Sequence, residues 1–183
     1  MTLPRAYESE LVERAKQNSA AFGELYDHYV DQIYRFIYSR VRSSAVAEDI
    51  TSDVFFKALR ALPRYRSEGH PFSAWLYQIA VNAINDHFRS HRSHSSLDNA
   101  LDVADQGRAV GDVAIHNDEA ARVWAAIDAL PRHQRTALTL KLGEDMKLSD
   151  IGEVMGKSEG AIKLLVHRGM QTLRKALEEG GFA

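Results

Sequence analysis

Between Phe72 and Phe88 the apolar residues fall at steps of three and four: Phe72, Trp75, Leu76, Ile79, Ala83, Ile84 and Phe88. That spacing gathers them on one face of an α-helix and is of no use to a β-strand. Pro71 suits the first turn, where its missing N–H costs no hydrogen bond. A second stripe, Gln78, Asn82, Asn85, Arg89 and Arg92, runs at the same period and lines up amides and guanidiniums on another face. Such a row can hydrogen-bond base edges at one end and neutralise phosphates at the other. A solvated face with stray amides explains this one segment equally well.

The same periodicity runs through most of the chain, and Pro and Gly are sparse, so an all-α protein is expected. Glu8 to Gln17 reads as a short charged helix. Ser19 is a candidate cap for the next, with Phe22, Leu25, Tyr26, Tyr29, Ile33, Phe36, Ile37 and Val41 as its core stripe. Aromatics at that spacing are core rather than a base-stacking platform. A third helix starts near Ser44 and runs to Pro63, with Val46, Ile50, Val54, Phe55, Ala58 and Leu62 inward. Glu48, Asp49, Ser52 and Asp53 gather outside, near its start, where the helix dipole alone would favour acids. The loop RYRSEGH leads into the helix that begins at Pro71.

After Arg92 the pattern lapses. The stretch 93–120 lacks a sustained stripe and reads as a linker, irregular or partly helical. From Glu119 the period returns: Val123, Trp124, Ile127 and Leu130 form one helix closed by Pro131, and HQRTALTLKL forms a second ending near Gly143. Ser149 is a candidate N-cap for a short helix with Leu148, Ile151 and Met155 inside. Gly156 makes a turn, and Ser158 caps a longer helix whose inner face is Ile162, Leu165, Val166, Gly169 and Leu173. A short helix, a glycine turn and a capped basic helix make a helix-turn-helix. Its outer face carries Lys163, His167, Arg168 and Gln171, with Glu159 and Ala161 leading. A purely structural αα-hairpin is the alternative.

Charge is segregated. The chain of 183 residues carries a net −2, a poor omen for nucleic acid. Yet residues 93–121 hold one Arg against six Asp plus Glu, while 157–175 hold five Lys plus Arg against one Glu. Basic and acidic work are separated. The absence of cysteine removes disulfides, thiolate zinc sites and cysteine nucleophiles. No apolar run reaches membrane-span length, and the opening MTLPRAYESELVERA has charges where a secretory signal has its apolar core. A cytoplasmic protein with no membrane insertion is expected.

AEDITSDVFFKAL followed by FSAWLYQIAVNAINDHFR resembles region 2 of bacterial extracytoplasmic-function sigma factors. LPRHQRTALTLKL and LSDIGEVMGKSEGAIKLLVHRGMQTLRKAL resemble their region 4. The ordered pair covers most of the chain outside the linker. It implies two small helical domains, 1–92 (region 2, a helical bundle) and 121–183 (region 4, the helix-turn-helix), joined by an acidic linker over 93–120. The family binds core RNA polymerase, directs it to promoters and opens the duplex, with no cofactor and no enzymatic step.

By that resemblance Ala47–Leu59 docks on the β′ coiled coil, placing Glu48, Asp49, Ser52, Asp53 and Phe56 at the polymerase. Ser52-Asp53 stands where the family often has Gln-Glu, which shortens or removes one polar contact. Asn82 falls where the family lines a pocket for an everted base of the −10 non-template strand. Ser67–Phe72, with Gly69 and His70, supplies the rest, Gln78 and Asn85 share the stripe, and Arg89 and Arg92 hold phosphates. Lys157, Ser158, Glu159, Ala161, Lys163, Leu164, His167 and Arg168 would meet the −35 duplex, while the helices before them pack on the β flap. Leu164 and Leu165 depart from the Ser and Arg common in the family; a leucine facing DNA meets a thymine methyl and cannot bond guanine. Arg132, Arg135 and Lys157 are candidate phosphate contacts, with solvated surface charge the equally ordinary alternative for each. The resemblance also implies an anti-sigma partner covering both domains, one able to hold the factor at the membrane. Because the sequence ends soon after the recognition helix, no appended sensing domain is expected.

Two rivals compete. A helix-turn-helix regulator of duplex DNA explains the C-terminal half and leaves the amide–guanidinium stripe idle. A helical metalloenzyme is suggested by His87, His91 and His94 at i, i+4 and i+7, though without an accompanying carboxylate set and among arginines that repel a cation.

Overall fold

The computed structural model describes the backbone of residues 3–95 and 118–179, and the side chains of 3–90 and 122–178. All regular structure among them is helical. The chain divides into two units, Met1–Val110 and Gly111–Ala183, each with a core of its own.

In the first unit α1 (Arg5–Ala15) packs on α2 (Ser19–Val41), α2 on α3 (Ser44–Ala61), and α4 (Phe72–Ser95) on α3 and α2. A 3-10 turn, Leu62–Arg64, follows α3. The stripes turn inward as their spacing requires: Leu25, Tyr29, Ile33, Phe36 and Ile37 of α2, Val54 and Ala58 of α3, and Phe72, Leu76 and Ile84 of α4 are all buried, joined by Tyr77, which lies off the expected stripe. Each large apolar side chain so removed from water contributes about 1.5–3 kcal/mol before entropy is charged against it. Ring contacts tie the helices, with Phe36 edge-on to Tyr77 at 5.1 Å and Tyr29 tilted on Phe72 at 5.7 Å. Four details differ from the sequence reading. Asn18, not Ser19, caps α2, its Oδ1 accepting from the Ala20 amide at 2.9 Å. Tyr26 lies outside the core, 41% exposed and edge-on to Phe55. The α1 helix begins at Arg5 and buries Glu8, Leu11, Val12 and Ala15, so its charge is not all solvated. The α4 helix runs past Arg92 to Ser95.

In the second unit α5 (Asp118–Asp128), α6 (Arg132–Leu138), α7 (Leu148–Met155) and α8 (Glu159–Glu179) close around Ile127, Leu130, Leu138 and Leu173. Val123, Ala126, Val166 and Leu177 pack against that cluster. Gly169 lets α8 approach α6: a Cβ there would lie 3.0 Å from Leu138 Cδ1. The helix expected to run to Gly143 instead ends at Leu138 and widens into a π turn, Thr139–Gly143. Trp124, expected inside, is 37% exposed, its ring edge against the Gly143 backbone. Ser149 caps nothing. Lys147 occupies the N-cap position of α7 without a side-chain bond. Leu148 and Met155 are only partly buried, and Val154 and Gly152 take the inner places beside Ile151. Most of the linker, 96–117, lies outside the described residues.

Candidate nucleic-acid and polymerase-binding surfaces

On α4 the polar stripe stands apart from the core stripe. Asn82 and Arg89 are exposed, and Gln78 and Asn85 are half-buried. Arg89 is held by Asp86 at 2.7 Å in an exposed pair, the kind a phosphate can displace at little cost. Arg92 lies in the last turns of the helix, and its side chain lies outside the described residues. Phe72 and Asn82 are ten residues apart, about 15 Å along the axis. The stripe therefore suits a strand laid along the helix better than a single pocket.

The turn before α4 is tight. Glu68 and Gly69 both take left-handed backbone angles, φ 41° and 86°, and the His70 amide donates to the Ser67 carbonyl at 2.7 Å. Gly69 is there because a side chain at that φ would be strained. Beneath the turn Tyr65, Phe72 and Trp75 form an aromatic cluster with centroids 4.5–5.4 Å apart. Phe72 is fully buried, as its place on the core stripe demands, and Trp75 is half-buried. A cleft of about 170 Å³ opens beside the turn, lined by Arg5, Glu8, Tyr65, Ser67, Gly69 and His70 among others, and Asn82 does not line it.

Residues of α1 reach this turn, which the sequence reading missed. The Arg5 guanidinium donates to the Gly69 carbonyl. Glu8, 4% exposed, accepts from the Tyr29 hydroxyl on one carboxylate oxygen and from the Phe72 amide on the other, the latter at 3.2 Å. Burial, and next the Glu8 carboxylate, push the Tyr65 hydroxyl up to about 12. Tyr29 is raised further, by burial first and then by its bond to Glu8. The only sequence sign was an acid on the same helical face as Leu11, Val12 and Ala15.

The α3 surface has two parts. Glu48, Asp49 and Ser52 are exposed, and Asp53, half-buried, pairs with Lys57 at 2.6 Å. One turn on, Phe56 is 57% exposed beneath the Arg60 guanidinium at 5.7 Å, and Leu59 is 43% exposed. Apolar residues left in water at i and i+3 mark a contact surface. Leu59 was not singled out by sequence, although it stands off the buried stripe.

The turn of the helix-turn-helix is built from glycine. Gly156 takes φ 61°, and the Lys157 amide closes on the Gly152 carbonyl at 2.9 Å. A Cβ at Gly152 would sit 2.7 Å from the Lys157 carbonyl oxygen, so only glycine fits. Ser158 caps α8 as expected, its hydroxyl accepting from the Ala161 amide at 3.3 Å. Glu159, Ala161, Lys163, Leu164, His167, Arg168 and Gln171 are all exposed, Leu164 by 49%, and Lys157 stands exposed at the leading end. Arg135 is drawn away from this surface: its guanidinium donates twice to the Leu130 carbonyl, at 3.3 and 3.4 Å, fastening the end of α5. His133 takes its place beside Lys157 and Arg132. Partial burial lowers its pKa, and those two cations lower it further.

No group of three or more His, Asp or Glu among the described residues is placed to hold a metal; the His91 and His94 side chains lie outside them. Among the described residues no helix is long and apolar enough to cross a membrane.

Comparison with known proteins matches both units to known families. Residues 25–94 match the family model for sigma-70 region 2, and residues 120–173 match that for sigma-70 region 4. The chain is 39% identical over 93% of its length to the ECF RNA polymerase sigma factor BldN of Streptomyces coelicolor, of which it spans 66%. It is 30% identical to the RNA polymerase sigma-H factor of Pseudomonas aeruginosa, covering 96% of both chains. Its fold is that of CnrH, solved in complex with the cytosolic domain of CnrY (TM-score 0.72, 22% identity, 95% and 99% coverage). It is also that of the sigma factor RpoE of Bartonella quintana, solved with the anti-sigma factor NepR (TM-score 0.68, 22% identity, 86% and 96% coverage). A regulator with the helix-turn-helix alone leaves the first match unexplained, and an enzyme leaves both. With its amide–guanidinium helix in a region 2 unit and its glycine-turned basic helix in a region 4 unit, the chain belongs to the extracytoplasmic-function RNA polymerase sigma factors.

Proposed function

We propose that this sigma factor brings core RNA polymerase to promoters with separate −10 and −35 elements and opens the duplex by holding one strand. Residues 1–92 act as the polymerase- and −10-binding domain, 93–120 as an acidic tether, and 121–183 as the −35 domain. In the first, Glu48, Asp49, Ser52, Asp53 and Phe56 meet the β′ coiled coil, the acids steering and the phenylalanine supplying buried area. The non-template strand then lies along α4. Gly69 and His70 stand at one end, Gln78, Asn82 and Asn85 read bases, and Arg89 and Arg92 hold phosphates.

Unstacking a base costs on the order of a few kcal/mol, and a base captured by stacking or in a pocket returns about 1–3 kcal/mol. Melting is thus nearly balanced, and the right base tips it without nucleotide hydrolysis. In the second domain Lys157, Ser158, Glu159, Ala161, Lys163, Leu164, His167 and Arg168 face the −35 major groove, and the helices before α7 pack on the β flap. An anti-sigma factor, the kind of partner named for the Bartonella protein, holds the factor inactive in the cytoplasm or at the membrane.

The observation that carries this reading is the exposed Asn82–Arg89 stripe on α4. A duplex-binding regulator has no use for it, and a strand-separating factor requires it. Purified protein added to core RNA polymerase on a promoter library should give initiation at one class of promoter. Failure to co-migrate with core enzyme, or initiation no more selective than core alone, would overturn it.

A further inference from the structure

We propose that Glu8 is a positioning residue for −10 strand capture: from α1 it fixes the start of α4 and the turn that flanks the strand. This rests on the assignment of the 67–72 turn and Asn82 to the −10 strand. Glu8 is nearly solvent-free, and a buried carboxylate is costly unless each oxygen is satisfied. Here one oxygen takes the Tyr29 hydroxyl and the other the Phe72 amide. The second bond supplies an N-cap from outside the helix. The Phe72 amide is one of the orphan donors of the first turn of α4, Pro71 before it has no capping side chain, and a carboxylate is what the positive end of a helix favours. Arg5, one turn earlier on α1, grips the Gly69 carbonyl from the solvent side. Two side chains of one helix thus hold both ends of the four-residue stretch from Gly69, the second of the two left-handed residues of the turn, to Phe72. An error in where α4 begins is carried rigidly along it to Asn82.

The variants separate positioning from mere stability. Glu8→Gln can turn its amide so that the oxygen accepts from Phe72 and the NH2 donates to the Tyr29 oxygen, keeping both bonds and losing only charge. Glu8→Ala keeps neither. Arg5 is exposed, so Arg5→Ala leaves the core intact. Each full-length variant is assembled with core polymerase and given a promoter bearing 2-aminopurine in the −10 non-template strand, whose fluorescence reports base eversion.

Glu8→Ala should lower capture about tenfold, or about 1.4 kcal/mol, and Arg5→Ala about threefold. Affinity for core enzyme and for a −35 duplex should stay within about twofold of the parent. Glu8→Gln should recover most of the loss. Arg5→Ala should leave the salt slope of capture unchanged; a slope reduced by about 0.7, the value for one phosphate of a single strand, would make Arg5 a DNA contact and sink the clamp. Parent-like capture in both alanine variants would overturn the proposal, as would loss of core binding in step with loss of capture, which would make Glu8 simply structural. Should Glu8→Ala not fold, Arg5→Ala decides alone. If the parent itself gives no selective initiation, the sigma reading fails instead, and that result is visible before any variant is made.

Discussion

Asn82 and Lys163 are the two residues on which base and phosphate recognition can be weighed separately. Asn82 is exposed, so removing its amide leaves the buried contacts of the first unit in place. Asn82→Ala should reduce permanganate reactivity of the −10 region about tenfold, the worth of one polar base contact of about 1–3 kcal/mol, at unchanged affinity for core polymerase. Unaltered reactivity would take Asn82 out of the strand-reading surface. Lys163 is an exposed cation on α8. Lys163→Ala should weaken −35 duplex binding across sequences and flatten log K against log salt by about 0.9, the release of one counterion. A fall in affinity at constant slope would mean that Lys163 reads a base edge and not a phosphate. Arg135, which looked equivalent in the sequence, is spent on the Leu130 carbonyl and should leave the slope alone.

Among the elements, the turn between α7 and α8 is the most constrained. Gly152→Ala drives a methyl to 2.7 Å from the Lys157 carbonyl. Backbone cannot give way as a side chain does, so a loss of about 1–3 kcal/mol is expected, with a lower melting temperature for the second unit and weaker −35 binding. Gly160→Ala is the control: nothing lies within 4 Å of its would-be Cβ, and better helix propensity should stabilise by about 0.5–1 kcal/mol. Equal melting temperatures for the two variants would refute the close approach. The helices, their core stripes and the glycine turn were legible because they follow from spacing within one segment. Caps were not, because Asn18 and Ser19 offer similar chemistry one residue apart, and Ser149 lay where the backbone had already begun to wind. The π turn at Thr139–Gly143 leaves no periodic trace in five residues. Glu8 was hidden for a different reason: its partners, Tyr29 and Phe72, come from helices 21 and 64 residues away. No local pattern announces a carboxylate that caps another helix.

The whole molecule carries two cores on one chain, and its ionisable groups are divided between them so that opposite ends of the pH range should act on different units. In the second unit His133 is held below its ordinary 6.5, by partial burial and then by Lys157 and Arg132. The unfolded chain therefore binds that proton more readily than the folded one. The stability this group contributes is complete above about pH 6.5 and is lost as pH falls toward the folded value. In the first unit the Tyr65 hydroxyl is raised from 10 to about 12, chiefly by burial, and Tyr29 is raised beyond it. Their stabilisation is present below pH 10 and lost as pH climbs through the folded values, because the unfolded chain gives up protons that the folded one retains. The chain has two tryptophans, Trp75 in the first unit and Trp124 in the second, so each unit has a reporter of its own. In a Trp75→Phe variant, denaturant midpoints read from Trp124 should fall as the pH drops below 6.5, and adding His133→Asn should flatten that slope. In a Trp124→Phe variant, midpoints read from Trp75 should be insensitive to His133→Asn and should drop above pH 10, and the part of the tyrosinate absorbance that Tyr65→Phe removes should appear only as the unit unfolds. Tyrosinate from Tyr29 or Tyr65 in the still-folded protein at pH 10 would mean that the Glu8 cluster is open to water, and the tie between α1 and α4 would lose its physical basis.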